Sequence, residues 1–142
     1  MAMAWLEALK SRLEQEKAVR MVANDPALTA ELLLMFKVIL ADGEVRQREL
    51  DIFKRICRDS FGLDPDAMDG VYRYLSDFAY EISPAQAAGT FADLPLERRQ
   101  RLLDHMIAIA EADRDIDKRE ERFLARIGDI LGFDITEVRK GR

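Results

Sequence analysis

Apolar residues recur along this chain at intervals of three and four, and nowhere do they alternate as a half-buried strand requires. Trp5, Leu6, Leu9 and Leu13 predict a first helix over residues 4–23, packed on the body of the protein. Asn24-Asp25-Pro26 is a break and restart, with Asp25 as N-cap and Pro26 at the first helical position. The helix from there to Ala41 carries LLLMFKVIL, apolar nearly all round with Lys37 as the exception, and reads as a buried central rod. A charged amphipathic helix follows from about Arg46 to Phe61, with Leu50, Phe53, Ile56 and Cys57 on its inner side. Gly62 ends it, and Asp64-Pro65-Asp66 starts another that runs to about Tyr80. Ser83-Pro84 opens a short helix to Ala92, and a second rod runs from Pro95 to Ala112. Asp117 to Glu120 forms a capping-box-like start for a helix that stops at Gly132, with a short turn from Thr136. The expected fold is an all-α bundle of about seven helices with short connections and antiparallel neighbours.

The second half repeats the first. Leu33–Ile56 and Met106–Ile127 have the same plan, an apolar helix, an acidic loop and a charged helix, offset by about seventy residues. Met35, Ala41, Asp42, Arg48, Glu49, Arg55 and Ile56 recur as Met106, Ala112, Asp113, Arg119, Glu120, Arg126 and Ile127. Shared apolar periodicity alone does not reproduce the acids, so the bundle is expected to comprise two related halves, about 33–63 and 104–133. Residues 1–24 are read as an N-terminal helix packed on the domain, and 25–142 as the helical domain itself.

Bulk properties change this picture little. At 142 residues one compact domain is expected, and the net charge of −5 without a basic stripe argues against nucleic acid as a partner. The single cysteine, Cys57, rules out an intrachain disulfide and a thiolate metal cluster, and its neighbours Phe53 and Ile56 make it a buried, inert thiol. No apolar run approaches the roughly 20 residues of a membrane span. The start of the chain lacks a signal-peptide pattern, so a soluble cytoplasmic protein is expected. His105, the only histidine, sits on the second rod at the position matching Leu34, without a nucleophile near it in sequence, and reads as a packing or half-exposed residue. No organic cofactor is implied, because glycine-rich phosphate loops are absent.

The loop acids break a local rule. Asp42 and Asp113 follow the last apolar turn of their helices, at the negative end of the dipole, where a carboxylate is disfavoured by some tenths of a kcal/mol. Glu49 and Glu120, seven residues on, fall in the first turn of the next helix, where negative charge is favoured. Each loop therefore offers carboxylates and helix-end carbonyls, hard oxygen donors of the kind calcium and magnesium prefer. An EF-hand is excluded: aligning Gly43, Val45 and Glu49 with that loop places Val38 and Leu40 at its first and third ligand positions. Half a loop per repeat remains, and the two halves together can make one shared site.

The motif A-D-G-x-V-x-x-x-E from Ala41 to Glu49, echoed as A-D-x-x-I-x-x-x-E from Ala112 to Glu120, resembles the TerB family of tellurite-resistance proteins. The same domain type occurs at the N-terminus of a membrane-anchored J-domain co-chaperone. The resemblance covers about Leu28 to Phe133. It implies a duplicated helical bundle whose acidic loops bind a divalent cation (calcium, magnesium or zinc) through Asp42, Glu49, Asp113 and Glu120. Glu44, Asp115 and Asp117 are further acids of the same loops, and Arg114 departs from the family's glycine. The implied role is non-enzymatic, in tellurite or metal stress responses, with other proteins as partners, a membrane-associated complex among them. The alternative is a metal-independent interaction module of scaffold or co-chaperone type. A hydrolase using the loop carboxylates fits least, because they stand among arginines in polar loops.

Overall fold

The computed structural model describes residues 2–41, 43–79, 81–113 and 116–140, with side chains for all of these except 2, 3, 78, 79 and 113. Among the described residues there are eight α-helices and no strand: α1 Ala2–Ala23, α2 Pro26–Leu40, α3 Gln47–Phe61, α4 Met68–Ala79, α5 Pro84–Gly89, α6 Leu96–Ala110, α7 Lys118–Leu131 and α8 Ile135–Lys140. The final turn expected near Thr136 is thus a helix of its own. Short 3₁₀ turns at Pro65–Ala67 and Glu111–Asp113 lead into α4 and out of α6.

Local chemistry sets most boundaries. The Asp25 carboxylate accepts a hydrogen bond from the Leu28 amide at 3.1 Å, and Pro26 opens α2. Ser83 and Gln86 form a reciprocal capping box at α5. α3 and α7 each stop at a glycine in the left-handed region, Gly62 at φ +67° and Gly132 at φ +90°. A side chain there costs roughly 1–2 kcal/mol, which is why both copies of the repeat end on glycine.

α2 is the centre of the bundle. It packs against α1, α3, α4, α5, α6 and α7, and Leu32, Leu33, Leu34, Met35, Val38 and Ile39 are all fully buried. The second rod, α6, lies against α2, α3 and α7. Phe36, Phe53 and Tyr72 form an aromatic triad between α2, α3 and α4, with centroids 6.0–6.2 Å apart. Arg99 ties the start of α6 to the end of α7: its guanidinium donates to the Leu131 carbonyl at 2.7 Å and to the Leu94 carbonyl at 2.9 Å.

The N-terminal helix packs differently from the expectation. Ala18 and Val22 are its buried residues, and the helix runs against α4, where Gly70 allows close approach to Gln15 and Val19. Trp5, Leu6, Leu9 and Leu13, the residues whose spacing predicts the interface, are exposed, Trp5 at 61%. The sequence pattern identified the helix correctly and assigned the wrong residues to its contact.

Candidate functional site

Two inter-helix loops carry the residues that the repeat singles out. Glu49 is the third residue of α3 and Glu120 the third of α7, each in the electropositive first turn of its helix. Both carboxylates are removed from water, at 1% exposure each. With Glu31 they are the buried charged residues among those described. The halves cross over at this point. α3 packs against the 3₁₀ turn that ends α6, while Ala41 and Val45 of the first loop line one cleft with residues of α7. Each loop thus faces the following helix of the other repeat.

Not every candidate acid falls within view. Asp42 and Asp115 lie outside the described residues, as does Arg114, and Asp113 is described only as backbone, closing the 3₁₀ turn. Glu44 is exposed. Asp117 serves as N-cap of α7, its carboxylate accepting from the Arg119 amide at 2.6 Å. Among the described residues no three His, Cys, Asp or Glu side chains are grouped so as to hold a metal ion.

The third buried acid, Glu31 on α2, was not singled out by the sequence reading. It is fully buried, with the His105 Nδ1 at 3.6 Å and the Arg101 guanidinium at 3.8 Å, both from α6. Those separations exceed hydrogen-bond range, and neither carboxylate oxygen has a hydrogen-bond partner. Phe61 completes the surroundings, edge-on to His105 and under the guanidinium of Arg101. His105 is accordingly a mostly buried partner of Glu31. Cys57 lies within reach of the same charge: burial first, and the field of Glu31 second, push its thiol up to about 12. A thiol so protonated is a poor nucleophile and a poor metal ligand at neutral pH. The signal that could have revealed Glu31 is the repeat itself, since Glu31 and His105 match Leu102 and Leu34, apolar positions in the other copy.

Beside the loops lies the cleft that includes Ala41 and Val45, with a volume of about 720 Å³. Its apolar lining includes Phe36, Leu40 and Phe123, and its cations are Lys37, Arg119, Arg122 and Arg126. Partial burial lowers the pKa of Lys37. Among the described residues no acid lines the cleft. Also among the described residues, no helix is long and apolar enough to cross a membrane.

No curated protein and no solved structure matches the chain. The family described as "Tellurite resistance protein TerB" matches residues 26–142, from the first residue of α2 to the end of the chain. With that match covering residues 26–142 and the all-helical architecture of the described residues in place, the chain belongs to the TerB family.

Proposed function

We propose that this TerB domain binds a divalent cation between its two acidic loops, and acts without catalysis in the cytoplasmic response to metal or oxyanion stress. The observation that carries the reading is the matched burial of Glu49 and Glu120, each the third residue of its helix. Two buried carboxylates at matched positions of the two copies are hard oxygen donors of the kind a divalent cation takes. In this reading one cation shared by the repeats draws on both. Asp42 and Asp113 are its further ligands in this reading, with Glu44, Asp115 and Asp117 nearby in sequence. The donor set is all oxygen, which favours calcium or magnesium over zinc. The chain's single histidine and single cysteine are at Glu31 instead.

Thermal melts with calcium, magnesium, zinc and chelator test this. A ligand at about a hundred times its Kd stabilises by roughly 2.7 kcal/mol, a rise of several degrees for a chain of this size. The rise should vanish in Glu49→Gln, Glu120→Gln, Asp42→Asn and Asp113→Asn. If no cation raises the Tm of the unaltered protein, the proposal fails.

A second reading, a metal-independent protein-interaction module, is favoured by the cation-rimmed apolar cleft beside the first loop. Partner binding would then survive chelator and weaken with salt, whereas a metal-dependent role predicts its loss in chelator.

A further inference from the structure

We propose that the cleft between α2, the loop after it and α7 is a docking site for an acidic amphipathic segment of a partner protein. The inference rests on the interaction-module reading and names the chemistry of the partner. Within the cleft the apolar and charged groups are arranged for such a ligand. Phe36 and Phe123 form part of its wall, while Leu40 and Val45 stand open to water at 37% and 58% exposure. Apolar side chains exposed in a concave setting mark a surface that gains by being covered.

Arg119, Arg122 and Arg126 follow one another on α7 at spacings of three and four, a single stripe about 10 Å long at helical rise. Among the described residues no carboxylate forms an ion pair with Arg122 or Arg126, both of which are exposed. Two exposed arginines at the edge of an apolar cleft are complementary to an acidic ligand. The repeat supplies an internal comparison. The matching stripe of α3 is Arg48, Asp51 and Arg55, of mixed sign, with Asp51 accepting from Gln47 at 2.8 Å. The all-cationic face is therefore particular to α7 and is not inherited from the repeated plan. A cleft of about 720 Å³ takes a few apolar side chains. Its concavity suits a peptide better than the plane of a bilayer. In the bound state apolar residues fill the cleft, and acids one turn apart meet the arginine stripe, as in helix-in-groove recognition.

The test selects a random twelve-residue peptide library on the full-length protein in chelator, then measures the enriched peptides by fluorescence anisotropy. Peptides with acids flanking apolar anchors should be enriched. Their affinity should fall at least tenfold in Arg122→Glu/Arg126→Glu, and less than twofold in the α3 control Arg48→Glu/Arg55→Glu, with circular dichroism confirming that both variants fold. Affinity should also fall as salt rises. Enrichment of neutral or basic peptides that the α7 variant still loses overturns the acidic partner and leaves the interaction-module reading standing. Absence of saturable peptide binding overturns both. Unchanged affinity in the α7 variant, or tighter binding of phosphatidylglycerol vesicles or a single-stranded oligonucleotide lost in that variant, also overturns the proposal.

Discussion

Replacing His105 by leucine should destabilise the protein, and replacing its partner Glu31 by leucine at the same time should restore it. Glu31 is fully buried and is approached by the imidazole of His105 at 3.6 Å and the guanidinium of Arg101 at 3.8 Å, with side-chain exposures of 17% and 47%. Removing one member of a buried pair costs about 3–5 kcal/mol when the charge left behind has no other partner. Here Arg101 remains, half in water and partly screened, and leucine adds some apolar burial, so His105→Leu should cost roughly 2 kcal/mol. Glu31→Leu should cost less, about 1 kcal/mol, because His105 retains some contact with water once its partner is gone. Leu34 and Leu102, the repeat-related residues, are both fully buried and show that the chain already uses leucine at these positions. The double variant is therefore expected within about 1 kcal/mol of the unaltered protein, with a coupling of about 2 kcal/mol or more. Urea unfolding followed by circular dichroism gives the four free energies of the cycle. A chain of this size loses roughly 3 °C of Tm per kcal/mol. If the double variant is destabilised by the full sum of the singles, the 3.6 Å approach carries no interaction, and the account of this buried cluster is wrong.

Alkaline unfolding should depend on Cys57: its thiol stays protonated in the fold up to about 12, against an ordinary 9.0. The folded chain then holds a proton that the unfolded chain releases, so this stabilisation is complete below pH 9 and is lost as pH rises toward 12. Urea titrations at successive pH values should show the unaltered protein losing up to about 1.4 kcal/mol per pH unit more than Cys57→Ala; parallel curves would refute it. Gly132→Ala should cost more than Gly62→Ala, beyond the roughly 1–2 kcal/mol that the left-handed backbone imposes on each. The added Cβ meets the Arg99 guanidinium at 3.1 Å at Gly132 and open space at Gly62; equal Tm losses would contradict the difference. Arg99→Met keeps most of the aliphatic stem but abandons the Leu131 and Leu94 carbonyls, and should lower stability by about 1–3 kcal/mol in urea unfolding.

What could be read from the sequence follows the range of the physics involved. The caps at Asp25 and Ser83, the stops at Gly62 and Gly132, and the all-round burial of α2 are written within a few residues of where they act, and all were legible. The repeat pointed to Glu49 and Glu120 because the same acid recurs at the same place in two copies, and both prove to be buried. Glu31 escaped because its meaning depends on α6, some seventy residues away, and a single acid at the edge of an apolar run looks like surface. The first helix shows the opposite failure. Trp5, Leu6, Leu9 and Leu13 are spaced as a buried stripe is, but periodicity reports only that a helix is amphipathic. Which face finds a neighbour depends on Gly70 of α4, whose missing side chain admits Gln15 and Val19. The arginine stripe of α7 lay in plain view as charge on a helix, and only the fold set it around an apolar cleft.

The position of α2 bears on how the molecule opens. No partial set of neighbours shields this rod, because α3 of the first repeat, α6 and α7 of the second, and α1, α4 and α5 outside both contribute to its wrapping. Detaching either repeat would wet leucines that have no polar face to turn outward, so halves that resemble each other in sequence are not independent folding units. The slowest amide protons should then span α2 and α6 together and exchange at the rate set by global unfolding, while the first turns of α1 exchange freely.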